Sequence, residues 1–188
     1  MTLLSLGILI FALVHFVPSM APNTKDNAIQ RMGEGGYKGI FSLALLGSFA
    51  LIIFGWRSAI PEVIYMPPAV LHTFALGLVL FAFLLLAVSS RKSRLRRFIR
   101  HPQLSGVALW GISHLLMNGD NRSVMLFSGL TLWAVIEIIA INKREGAWIK
   151  EDTPDWSTEM VNVIIATVTV AVVVYLHPWL SGLPVVWT

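Results

Sequence analysis

The chain has 188 residues, 56% of them hydrophobic and 13% charged, with a formal net charge of +4. A soluble domain carries about 25% charged residues, so this composition excludes an ordinary soluble enzyme and points to a membrane protein. With no cysteine at all, disulfides, thiolate metal sites, iron–sulfur clusters and Cys nucleophiles are excluded as well. The basic balance does not call for nucleic acid, because Lys and Arg beside apolar stretches act as orientation signals and lipid anchors.

Six stretches are long and apolar enough to cross a bilayer, and inside lipid each must be a helix to satisfy its own backbone. The first covers about residues 2–19 and ends at Pro18 and Pro22. No charged side chain precedes Lys25, so a cleaved leader with a basic start is not expected and this span is read as retained. The second, about 39–56, lies between Lys38 and Arg57. The third, about 68–90, is entered through Pro67-Pro68. The fourth, about 102–117, is shorter and starts at Pro102. Asn118-Gly119-Asp120-Asn121 is a tight turn, with Asp120 placed to cap the next helix. The fifth span, about 122–141, therefore forms a hairpin with the fourth. The sixth, about 159–177, stops at Pro178. The expected fold is an all-α, six-helix transmembrane bundle forming a single domain.

Twelve of the fourteen basic residues fall in the 21–38, 91–100 and 143–150 loops, which leaves Arg57 and Arg122 for the other side. That asymmetry assigns the basic loops to the cytoplasm and both termini to the periplasmic side, and an even number of spans agrees. Trp56, Tyr65, Trp148, Trp156, Trp179 and Trp187 lie near span ends, as interfacial aromatic residues do.

Polar residues inside spans are costly and need a reason. His15, His72, His101 and His114 stand out, since neutral imidazole suits an apolar interior and ligates iron. The plainer reading of each is a hydrogen bond to a neighbouring helix. His177, before Pro178, reads as an interface residue. Depth, at ~1.5 Å per residue, pairs His15 with His101, or His72 with His114. His101 and His114 are ~220° apart around one helix and cannot aim at one point. Gly106, Trp110 and His114 recur every fourth residue, either as a packing stripe or as the wall of a flat cofactor. Glu137, the one acid well inside a span, is expected to pair structurally. The basic run from Arg91 to Arg100 reads as a topology anchor.

The run from Arg100 to Gly106, then Trp110, then His114-Leu115-Leu116-Met117-Asn118-Gly119-Asp120 and Leu126-Phe127, resembles the NnrU family of bacterial membrane proteins. Phe11-Ala12-Leu13-Val14-His15 and Gly36-Tyr37-Lys38-Gly39 match as well, so the resemblance covers most of the chain. It implies a multi-pass inner-membrane protein linked to denitrification, with relatives that include the cis-zeta-carotene isomerases, which are membrane haem b proteins. Carried over residue by residue, it implies haem b ligated by His15 and His114, with His101 next; depth keeps His72 as the challenger to His15, and helical spacing has Gly106 and Trp110 lining the cofactor. The ligand would be a small apolar molecule or a nitrogen oxide, and a membrane oxidoreductase is the implied partner. A second resemblance, carried by Arg100-His101-Pro102 and Gly106, is to membrane methyltransferases that use S-adenosylmethionine. In that reading His101, Gly106 and Glu145 touch the cofactor, although Leu104 and Gly146 depart from the pattern. A third reading is a non-enzymatic assembly factor.

Overall fold

The computed structural model describes residues 1–150 and 152–182. Six α-helices run through them: α1 Thr2–Met20, α2 Pro22–Ser58, α3 Val70–Ala87, α4 Pro102–Leu115, α5 Asn121–Glu145 and α6 Trp156–Ser181. A short 3-10 turn, Arg94–Arg97, lies between α3 and α4. No strand occurs among the described residues beyond one isolated bridge, Val63 to Asp120.

Five of the six helices are long and apolar enough to cross a membrane. The exception is α4, whose 14 residues rise only ~21 Å against a hydrocarbon core of about 30 Å. The expected six helices are therefore all present, but the fourth does not reach full span length. Outward-facing Leu43, Phe54 and Leu132 are each more than 60% exposed. A surface that apolar is suited to lipid rather than water.

The expected 21–38 loop is instead helical. Pro22 opens α2, and the one break is at Gly33, whose φ of +77° only glycine adopts cheaply. A polar first segment thus leads through a kink into the apolar second span.

Neighbours follow the order α2, α1, α5, α4, α3, α6, and α6 touches α2 again where Trp56 Nε1 donates to the Ser181 carbonyl, 3.1 Å. Leu4 and Ser181 therefore lie at one end of the bundle. The loops with most Lys and Arg lie at the other, called here the basic end. The α1–α2 pair packs backbone to backbone: a Cβ on Gly7 would come within 2.8 Å of the Ile52 nitrogen, and one on Gly55 would overlap the Leu4 backbone. Small residues permit such approach, and dispersion contacts then hold helices that lipid does not push together.

At the basic end a polar clamp fastens α6 to the end of α3. Arg91 Nε donates to the Asn162 side-chain oxygen at 2.8 Å, and Asn162 Nδ2 donates to the Lys92 carbonyl at 3.0 Å. Ser93 Oγ donates to Glu159 at 3.0 Å, as does the Arg94 amide. Asn162 is fully buried and both ends of its amide are satisfied, which a buried amide requires.

Candidate functional site

The segment 114–121 works as a latch at the end opposite the basic loops. The chain after α4 turns sharply, and the Asn118 side-chain amide donates to the His114 carbonyl at 3.0 Å. The Gly119 carbonyl accepts from the Ile64 and Tyr65 amides, at 2.8 and 3.0 Å. Asn121 grips the same loop: its amide donates to the Glu62 carbonyl at 2.8 Å, its Nδ2 to the Ile60 carbonyl at 3.3 Å, and its Oδ1 accepts from the Glu62 amide at 3.2 Å. The Tyr65 hydroxyl closes the latch on the Leu115 and Asn118 carbonyls. Burial and the neighbouring Asp120 charge push the Tyr65 phenol up, so it stays a donor. The 60–66 loop thus covers the exit of α4 and fixes where His114 sits.

Asp120 caps α5 as expected, accepting from the Arg122 and Ser123 amides and, at 2.6 Å, from the Ser123 hydroxyl. Burial acts to raise its carboxyl, but the hydrogen bonds from Ser123 and Arg122 outweigh it and hold the group below the ordinary carboxylate value. A carboxylate depressed in the folded state contributes stability that is present above its unfolded value of about 3.9 and lost as pH falls through the lower folded value. Asp120→Asn should therefore flatten the acid limb of a stability-versus-pH curve. Asp120→Ala should cost about 1–2 kcal/mol at neutral pH. Detergent-phase thermal unfolding between pH 3 and pH 7 reads both.

His114 and His15 are presented alike. His114 Nδ1 lies 2.8 Å from the Trp110 carbonyl, and His15 Nδ1 lies 2.8 Å from the Phe11 carbonyl, each four residues back. The carbonyl can only accept, so Nδ1 carries the proton and Nε2 keeps its lone pair. Both rings sit among aromatic side chains. His114 stacks on Phe127 of α5 with centroids 4.4 Å apart, and Trp110 flanks it at 4.8 Å. His15 meets Phe11 at 4.3 Å, Trp133 of α5 at 4.9 Å and Phe41 of α2 at 5.7 Å.

The two rings are not brought face to face. Phe127 and Trp133 are six residues apart, which is ~9 Å along α5 and about 120° around it. α1 therefore brings His15 to one side of α5 and α4 brings His114 to another.

Three buried polar atoms lack a partner on or near the His15 side. They are Trp133 Nε1, Glu137 Oε2 and the Tyr37 hydroxyl. Tyr37 lies 6.0 Å from Phe41, which also touches His15. Glu137, one turn beyond Trp133 on α5, is only 4% exposed. The expected structural pairing of Glu137 is not found for Oε2. A buried polar atom left without a partner costs about 1–3 kcal/mol and calls for an explanation.

The other expected site residues are scattered. Gly106 packs against α3, where an added Cβ would meet the Ala82 carbonyl oxygen at 2.9 Å and the Leu86 side chain at 3.1 Å. The Gly106, Trp110, His114 stripe drifts ~40° per step, so its first residue faces α3 while its last faces α5. His72, on the first turn of α3, is exposed and has no side-chain hydrogen bond or ring contact among the described residues. His101 occupies the N-cap position of α4 at the basic end without a side-chain cap bond, its Nε2 2.9 Å from Asn142 Oδ1 of α5. Arg100 brings Glu145 beside it, at 3.2 Å. His177, expected as an interface residue, lies near the end of α6 with its Nδ1 3.0 Å from Ser181 Oγ. Trp187 lies outside the described residues.

The donor chemistry fits a haem iron. Each imidazole presents an Nε2 lone pair in an aromatic setting, with Nδ1 already bonded to a backbone carbonyl. What fits is one histidine per site, because the two rings approach α5 from different faces. No cluster of three metal-ligating side chains occurs among the described residues.

These features define a multi-helix membrane protein with two half-buried, backbone-oriented imidazoles. The sequence model described as NnrU protein matches residues 3–185, so the chain belongs to the NnrU family. No curated protein and no solved structure matches it.

Proposed function

We propose that this NnrU-family chain is a haem b protein of the bacterial inner membrane, with the basic loops in the cytoplasm, serving nitrogen-oxide metabolism or a haem-dependent isomerisation. The observation that carries the reading is the shared presentation of His114 and His15. Each spends Nδ1 on the carbonyl one turn back and leaves Nε2 for a metal. His114 is the principal ligand, because the 114–121 latch fixes its helix end, and His15 is the second candidate. A haem held by His114 or His15 would supply the binding of a small ligand such as a nitrogen oxide or an alkene. The chain's own residues hold the imidazole in one tautomer, exclude water with Trp110, Phe127 and Trp133, and leave donors and a carboxyl beside His15.

Expression with ample haem supply, followed by purification in detergent and pyridine haemochrome assay, tests the ligand assignment. His114→Ala should lose most of the bound haem, with His15→Ala having a smaller effect and His72→Ala none. Equal haem content in the wild type and in both His114→Ala and His15→Ala would overturn it.

The methyltransferase reading has one observation in its favour: Arg100, His101 and Glu145 converge on a groove at the basic end. Against it, Gly106 is used up in the α3 contact. Isothermal calorimetry with S-adenosylmethionine decides between them, and an absence of heat removes the methyltransferase reading.

A further inference from the structure

The groove that the histidine site does not use lies at the basic end, outside α4 and α5. Two adjoining hollows of about 560 and 510 Å³ share Arg100, His101 and Trp148. Their sizes fall in the usual range for a bound small molecule, ~300–1,000 Å³. The lining divides by chemistry. Ile99, Ile138 and Trp148 make an apolar floor in the first hollow, while Arg96, Arg100 and Glu145 line the second.

The electrostatics favour an anion. Glu145 is the one acid in the lining, and its carboxylate is divided between Arg100 and Arg144, each at 3.2 Å. Arg100 also donates to the Gly146 carbonyl at 2.7 Å, which fixes its guanidinium at the rim. Arg96 is held by the Ser89 carbonyl at 2.8 Å. The lining of the second hollow thus holds two oriented guanidinium groups and the His101 ring against one carboxylate, itself already divided between Arg100 and Arg144.

The position selects the kind of anion. α5 passes from the apolar Ile138 and Ile141 to Lys143 and Arg144 beside the groove, so the groove straddles the boundary between hydrocarbon and water. Phe98 and Ile149, at its edges, are 80% and 90% exposed and have no protein cover. Each adjoins a basic residue, Arg97 and Lys150, a pattern suited to an interface.

We propose that this groove binds an anionic phospholipid of the leaflet at the basic end, with the phosphodiester on Arg96, Arg100 and His101 and the first acyl carbons along Ile99, Ile138 and Trp148. The site is independent of haem. Each guanidinium near a membrane surface contributes about fivefold to the affinity for an anionic lipid.

The full chain, delipidated in detergent, is titrated by native mass spectrometry with phosphatidylglycerol, with phosphatidylcholine of the same acyl chains, with inorganic phosphate and with S-adenosylmethionine. Phosphatidylglycerol should be retained about 25-fold more strongly than phosphatidylcholine, about fivefold for each of Arg96 and Arg100. Arg100→Gln and Arg96→Gln should each lower that preference about fivefold, and Arg100→Lys should keep much of it. Trp148→Ala should weaken both lipids without changing their ratio, and it remains informative if an arginine variant does not fold. Lys25→Gln with Arg31→Gln, on the polar start of α2, should change nothing. Equal retention of the two lipids overturns the proposal. So does displacement of phosphatidylglycerol by phosphate alone or by S-adenosylmethionine, or an unchanged preference in Arg100→Gln.

Discussion

Gly119→Val should destabilise the protein by about 3 kcal/mol or more, the largest loss expected of any single substitution in the loops. A Cβ at this position would overlap the Tyr65 carbonyl oxygen, which belongs to backbone and cannot swing away as a side chain can. Moving the 60–66 loop aside would in turn break the amide bonds from Ile64 and Tyr65 to the Gly119 carbonyl and loosen the three held by Asn121. Tyr65→Phe provides the scale. It removes only the hydroxyl bonds to Leu115 and Asn118, and should cost about 1–2 kcal/mol. Thermal unfolding in detergent should therefore order the wild type above Tyr65→Phe, and that above Gly119→Val. A Gly119→Val protein as stable as Tyr65→Phe would mean that the latch does not hold the end of α4.

Glu137→Leu should act in the opposite direction on stability. Burial of an unpaired carboxyl oxygen costs about 1–3 kcal/mol, and leucine of similar length removes that cost while keeping contact with the α1 side of α5. The cofactor-free protein should gain about that much. The proposed function adds a second expectation: haem retained by the His15 side should fall, because the carboxyl and the Trp133 indole N–H are the polar groups left to meet it. Melting curves with and without haem, on the same preparation, separate the two effects. A variant less stable than the wild type without haem would show that Glu137 has a structural partner.

Much of the fold was legible in the sequence, because lipid imposes so simple a rule on each span. Apolar runs bounded by Pro, Lys or Arg located α1, α3, α5 and α6 to within a few residues. Pro102 and Asn118-Gly119-Asp120-Asn121 marked both ends of α4 and its hairpin with α5. The 22–38 segment reads as a loop because of its Gly and polar residues, and because a polar helix needs no apolar run to form.

The site was less legible. Helix rise alone separates His15 from His114 in depth, and the packing on Trp133 and Phe127 agrees. What periodicity could not supply was which helices become neighbours. α1 against α5 and α3 against α6 are pairings between segments distant in the chain. Those pairings put Trp133 on the His15 side with Glu137 one turn beyond it, and turn Gly106 into a packing residue.

An imidazole held by its own helix backbone is proposed to grip an iron porphyrin within this bundle. The decisive observation is the absorption spectrum of detergent-purified protein, recorded oxidised and then reduced with dithionite. A Soret band that shifts on reduction, and shifts again when nitric oxide is added, is the expected result. A preparation from haem-replete cells with no Soret absorption in either state would contradict it.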